Sequence, residues 1–182
     1  MSSNQYIPAY HTKTVTANGL GDFAINYVEA GSPESPTLLL LHGYPSSSTQ
    51  FRDFIPLVSH KYHILAPDLP GFGLTTSPEN MRYTFDNLTA AIRAWLDALK
   101  VTSYAIYIFD YGAPVGLRLA LQQPEQVKAI ISQNGNAYIE GFGKSFWEPV
   151  ENLWNSANST EAREFLRNNF ITLEGTKFQY EM

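Results

Sequence analysis

The chain has 182 residues, 44% of them apolar, enough for one domain with a substantial core or for one domain and part of another. It contains no cysteine, which excludes a disulfide framework or a thiolate metal site, and its net charge of -5 without a run of Lys or Arg argues against a nucleic-acid surface. The opening Met-Ser-Ser-Asn-Gln-Tyr-Ile-Pro lacks the basic and apolar regions of a secretory signal, and no stretch approaches the ~18 apolar residues of a membrane helix. The expectation is a cytoplasmic protein with no membrane and no nucleic-acid partner, in which the glycosylation triplets at Asn87 and Asn158 are chance matches.

Thr14 to Ala17 and Phe23 to Ala30 alternate in strand fashion around Asn18-Gly19, which predicts two antiparallel strands at the start. Thr37 to Leu41 is a continuous run suited to a strand buried on both faces, and it ends at His42-Gly43-Tyr44-Pro45. Ser46 to Ser48 lead into an expected helix over Thr49 to Val58. A second buried strand, Tyr62 to Ala66, closes on Pro67-Asp68 and the loop Leu69-Pro-Gly-Phe-Gly. Leu88, Ile92, Trp95, Leu96 and Leu99 then fall on one helical face, with Thr84 or Asp86 placed to cap its start.

The organising stretch follows, Ser103 to Gly116. Tyr104 to Phe109 reads as a buried strand that stops at Asp110, and the small Gly112 and Ala113 let a helix begin at once, running to Gln122 before Gln123-Pro124. Two readings of Asp110 are open: it caps that helix by accepting free backbone N–H groups, or it is a reactive group held on a strained strand-to-helix turn. Val127 to Ser132 is a further strand. Strands alternating with helices imply a mostly parallel sheet, whose functional crevice lies beyond the carboxyl ends of its strands, where His42, Asp68, Asp110 and Asn134 all fall. From Asn136 the texture changes to aromatic amphipathic pieces. Phe146, Trp147, Val150, Leu153 and Trp154, then Phe165, Leu166, Phe170 and Leu173, read as two helices joined by Asn155 to Thr160, either packing helices or a lid.

The His-Gly-Tyr-Pro, Asp-Leu-Pro-Gly-Phe-Gly and Phe-Asp-Tyr-Gly motifs together resemble the α/β-hydrolase fold, in its epoxide hydrolase and haloalkane dehalogenase branch. The resemblance implies an α/β fold: a mostly parallel sheet with antiparallel N-terminal strands, residues 1-136 forming the N-terminal part of the core and 137-182 a partial helical cap. It implies Asp110 as a nucleophile that forms an alkyl ester with the substrate, and the backbone N–H groups of Tyr44 and Tyr111 as the oxyanion hole. His42, Gly43, Pro45, Asp68 and Gly112 then support the motifs. Two positions depart from the family pattern: Ile108 stands where a small residue is usual and Tyr111 where Trp is common. The implied substrate is a small-molecule epoxide or haloalkane, with no cofactor and no metal. Epoxide opening is favoured, since halide release needs side-chain N–H donors where Tyr44 and Tyr111 stand; Tyr138 and Tyr180 are the candidate cap phenols for protonating the epoxide oxygen.

In this family a relay acid and a His follow the lid, whereas the chain ends at Met182. The expectation is therefore a fragment or inactive copy lacking the base, the relay acid and the last sheet strands, capable of a single turnover at most. Asn134 supplies only an amide where some dehalogenases carry the acid. Val127 to Ser132 is expected as an exposed edge strand. A non-catalytic binding paralogue is the reading from another class; a phosphoacceptor reading of Asp110 lacks the acidic cluster it needs. A dinucleotide fingerprint at Gly71-Phe-Gly73 fails because Thr76 stands where its third Gly belongs.

Overall fold

A computed structural model of the chain describes residues 8–156, 159–169, 171–175 and 177. Two compact units divide it, Met1–Ala137 and Tyr138–Met182. In the first, β1 (Ala9–Ala17) and β2 (Gly21–Ala30) form the antiparallel pair predicted around Asn18-Gly19, with Gly19 at φ 78° where the reversal needs a left-handed residue. β3 (Thr37–Leu41), β4 (His63–Pro67), β5 (Tyr104–Phe109) and β6 (Val127–Gln133) complete a six-stranded sheet in the order β1-β2-β4-β3-β5-β6. β4 pairs with β2 antiparallel, while β4, β3, β5 and β6 run parallel to one another. Their four carboxyl ends share one edge of the sheet.

The sheet has a core on each face, because neighbouring residues of a strand point to opposite sides. Leu39 and Leu41 pack with Phe23, Ile25, Ile106, Ile108 and the helices α2 (Phe85–Ala98) and α3 (Gly112–Gln122), while Leu38 and Leu40 pack with Val28, Ile64, Phe51 and Ile55 on the other side. Leu88, Ile92, Trp95 and Leu96 give α2 its buried stripe, as the periodicity predicts. Thr84 caps it, its hydroxyl accepting the Asn87 N–H at 3.2 Å, whereas Asp86 pairs with Arg118 of α3 at 2.6 Å.

Two expectations need correction. The helix expected over Thr49 to Val58 is split into a 3-10 turn, Ser48–Phe51, and a single α turn, α1 (Ile55–Val58). Pro56 has no N–H to return to the Arg52 carbonyl, so a continuous helix would leave that carbonyl unmatched. The strand expected from Tyr62 begins at His63, because the Tyr62 N–H still closes the turn onto the Val58 carbonyl at 3.1 Å. At the far edge of the sheet, β6 has β5 as its one neighbour among the described residues, and Ile130 and Ile131 are 44% and 48% exposed, one on each face.

The second unit contains α4 (Lys144–Asn155) and α5 (Thr160–Asn169). Trp147 meets Phe142 edge-on at 4.6 Å and lies 6.1 Å from Trp154, so these two tryptophans of α4 share one side of the helix. Phe170 and the side chain of Phe146, both counted in the predicted stripes, lie outside the described residues.

Candidate active site

Asp110 stands on the turn between β5 and α3 at φ 47°, a left-handed conformation that L-residues adopt at a cost of about 1–2 kcal/mol. Its side chain is not a helix cap. Its Oδ1 accepts the Tyr44 N–H at 2.7 Å, while its carbonyl takes the Ala113 N–H at 2.9 Å to start α3. The carboxylate is thus turned away from its own helix and towards the loop after β3, with one oxygen held and the other available.

Glycines make that approach possible. A Cβ on Gly43 would lie 2.7 Å from the Asp110 Cβ and from Phe109 Cδ1, and one on Gly112 would lie 2.3 Å from the Leu41 carbonyl oxygen. Ile108, which departs from the family pattern, is accommodated by Gly116: a Cβ there would sit 2.4 Å from Ile108 Cγ2. The Gly43 N–H is taken by Gln50 Oε1 at 3.0 Å, and Pro45 follows Tyr44 through a cis peptide.

His42 is fully buried behind this loop, with both ring nitrogens engaged. Nε2 accepts the Leu69 N–H at 2.9 Å, which fixes the tautomer, so Nδ1 carries the proton and donates to the Gly43 carbonyl at 2.9 Å. Burial pushes the pKa of His42 down, partly opposed by the bond to Gly43 and by the charges of Asp68 and Asp110. A neutral imidazole with no free lone pair ties the β3 loop to the β4 loop; it cannot take a proton from water.

Asp68, 2% exposed, does similar work one strand over. Its Oδ1 accepts Ser48 N–H at 2.8 Å, and its Oδ2 accepts both Asn26 Nδ2 and Leu74 N–H at 2.9 Å. Strand β2, the 3-10 turn after β3 and the loop after β4 therefore converge on one carboxylate. Asn26, Ser48, Gln50 and Gly116 were not singled out from sequence, since each is an ordinary polar or small residue whose partner is distant along the chain.

Above Asp110 the mouth is aromatic. Tyr111 lies 5.5 Å from Tyr44, 5.8 Å from Phe72 and 5.0 Å from Phe85, and Phe72 also meets His42 at 5.3 Å. Burial, then the charges of Asp110 and Tyr44, push the Tyr111 hydroxyl pKa above its ordinary value. Phe72 and Phe85 were missed as site residues. Asn134 ends β6 at φ 51°, and the next residue, Gly135, closes on α3, where a Cβ would come within 2.6 Å of Ala113 Cβ. Four strand ends thus meet around the first turn of α3.

The other histidines of the core unit have partners elsewhere or face solvent. His63 Nε2 donates to Glu29 Oε1 at 2.7 Å and its Nδ1 meets the Thr37 hydroxyl at 3.3 Å, His11 lies 3.7 Å from the same Glu29, and His60 is exposed. Tyr138 belongs to the second unit and is 78% exposed; Tyr180 lies outside the described residues. Among the described residues no group of three or more His, Asp or Glu is placed to hold a metal ion, and no helix is long and apolar enough to cross a membrane.

A family model described as alpha/beta hydrolase fold matches residues 36–180. An uncharacterized hydrolase of Saccharomyces cerevisiae is 53% identical over 133 residues, covering 73% of this chain and 46% of that protein. Among solved structures, haloalkane dehalogenase DbeA from Bradyrhizobium elkani superposes with a TM-score of 0.65 at 29% identity, over 71% of this chain and 42% of that one. An epoxide hydrolase from Vigna radiata does so with a TM-score of 0.59 at 34% identity, over 72% of this chain and 39% of that one. The chain thus spans less than half the length of each of these three.

Proposed function

The chain belongs to the alpha/beta hydrolase fold family, and from that premise we propose that Asp110 is the nucleophile of an epoxide hydrolase-like reaction on a small-molecule substrate. One observation carries the reading: Asp110 sits on a left-handed strand-to-helix turn with Oδ1 on the Tyr44 N–H at 2.7 Å. The free Oδ2 attacks an sp³ carbon and forms an alkyl ester, and Oδ1 becomes the ester carbonyl oxygen, already on one of the donors a later oxyanion needs. Tyr111 N–H, at the start of α3, is the proposed second donor, favoured by the positive end of the helix.

Residues 137-182 are proposed as the start of a cap. Hydrolysis of the ester needs a base. His42 and His63 have both ring nitrogens engaged, His11 faces Glu29 and His60 is exposed to solvent, so the 182-residue chain is proposed to carry the first step only. A haloalkane dehalogenase-like reaction is the second reading, favoured by the likeness to the Bradyrhizobium enzyme and opposed by phenols where N–H donors would hold a halide.

The test is to incubate the chain separately with styrene oxide and 1-bromobutane and map any covalent adduct by peptide mass spectrometry. The expected result is an ester on Asp110 from styrene oxide and none with Asp110→Asn. An adduct from 1-bromobutane alone would transfer the proposal to the dehalogenase reading, and no adduct from either would favour a binding role.

A further inference from the structure

The ring of Tyr111 is clamped on three sides, by Tyr44, Phe72 and Phe85. Phe85 is itself fixed, with the Arg118 guanidinium 5.7 Å over its face and Arg118 Nε on Asp86 at 2.6 Å. Such a ring keeps one orientation beside the carboxylate that precedes it in the chain. Among the described residues its hydroxyl makes no hydrogen bond, although the residue is half-buried. A hydroxyl open to the mouth, on a ring held by three aromatic neighbours and next to a carboxylate with a free oxygen, is an arrangement that a ligand acceptor would complete.

Resting on the reading of Asp110 as nucleophile, we infer that Tyr111 is the acid that protonates the departing oxygen, so that the core unit itself selects epoxides, whose leaving atom needs a proton, over halides, which need none. As Asp110 Oδ2 bonds to the ring carbon, the epoxide C–O bond breaks and its electron pair goes to oxygen. The Tyr111 O–H gives its proton to that oxygen, and the phenolate regains one from water. An alkoxide is far more basic than a phenolate, whose conjugate acid has a pKa near ~10, so the transfer runs downhill.

The neighbouring charge times the step. Burial and the Asp110 carboxylate hold the proton on Tyr111 in the resting enzyme. Alkylation converts the carboxylate to a neutral ester, and its opposition to a phenolate vanishes as the oxygen comes to need the proton. No halide substrate draws on this coupling.

The experiment follows the rate of ester formation from styrene oxide on the 182-residue chain by intact-protein mass spectrometry. Tyr111→Phe, which keeps the ring and its three aromatic neighbours, is expected to slow it by about 10²-fold with an unchanged circular dichroism spectrum. Tyr111→Trp, which keeps an aromatic ring but offers no acidic proton, is expected to remain slow. Wild-type rates in Tyr111→Phe, recovery in Tyr111→Trp, or a slowing confined to Tyr138→Phe would each overturn the assignment while leaving Asp110 as nucleophile. Absence of any adduct on the unsubstituted chain would overturn the nucleophile and, with it, Tyr111.

Discussion

Asp68→Asn changes one atom and should be among the most damaging substitutions in the core unit. The wild-type carboxylate accepts from Ser48 N at Oδ1 and from Asn26 Nδ2 and Leu74 N at Oδ2, all within 2.8–2.9 Å and out of contact with water. Asn offers one oxygen. If it faces Asn26 and Leu74, its NH2 confronts the Ser48 N–H, so a charge-assisted bond worth about 1.5–3 kcal/mol is lost and buried donors are left unmatched at about 1–3 kcal/mol. The alternative flip leaves two donors unmatched and is worse. The sum, about 2.5–6 kcal/mol, corresponds to a fall of roughly 1–3 M in the urea midpoint at an m-value of about 2 kcal/mol/M. Equilibrium urea unfolding followed by circular dichroism reads this directly. A midpoint shift worth less than ~1 kcal/mol would refute the view that this carboxylate fastens β2, the turn after β3 and the loop after β4 together.

His42 gives a pH dependence with a definite sign. Its folded pKa is depressed by burial, so between that value and the ordinary ~6.5 the unfolded chain binds more protons than the folded one, and stability falls as pH drops through that window. The slope reaches at most about 1.4 kcal/mol per pH unit. Denaturant titrations at several pH values should show it in the wild-type chain and lose it in His42→Asn; parallel profiles would contradict the assignment. Gly43→Ala puts a Cβ 2.7 Å from both Asp110 Cβ and Phe109 Cδ1, and should cost about 1–3 kcal/mol while displacing the carboxylate, read as a lowered thermal midpoint together with slower alkylation by styrene oxide.

What could be read from sequence had a local signature. The Asn18-Gly19 hairpin, the two-faced strand Thr37 to Leu41 and the stripe of α2 each follow from a short-range period, and each stands in the structure. The run from Thr49 to Val58 misled because its apolar residues suit a helix while Pro56 forbids a continuous one. The partners of Asp68 were not legible, since Asn26 reaches it from 42 residues away and nothing in an isolated Asn marks it as a buried donor. The aromatic mouth was half legible. Tyr44 and Tyr111 stood out through their motifs, but Phe72 and Phe85 meet Tyr111 only because α2 and the loop after β4 fold over the same strand ends.

The position of Asp110 is in the end a matter of register. Leu41 lies opposite Ile108 in the parallel β3–β5 pair, so the residues two beyond each, Gly43 and Asp110, leave the sheet side by side. Two adjacent side chains at that point would collide; one glycine removes the collision and exposes the next N–H, that of Tyr44, to the carboxylate. Gly112 is required for the same reason on the other flank, where the chain turns into α3 against the Leu41 carbonyl. A left-handed residue at 110 lets helix and strand meet without an intervening loop, and Asp tolerates that conformation better than a branched residue would. A slip of one residue between β3 and β5 would bring a side chain against Asp110 in place of Gly43 and turn the Tyr44 N–H away. The strain at 110 is therefore held by the whole length of the β3–β5 pair, through a core in which Leu39, Leu41, Ile106 and Ile108 are all buried.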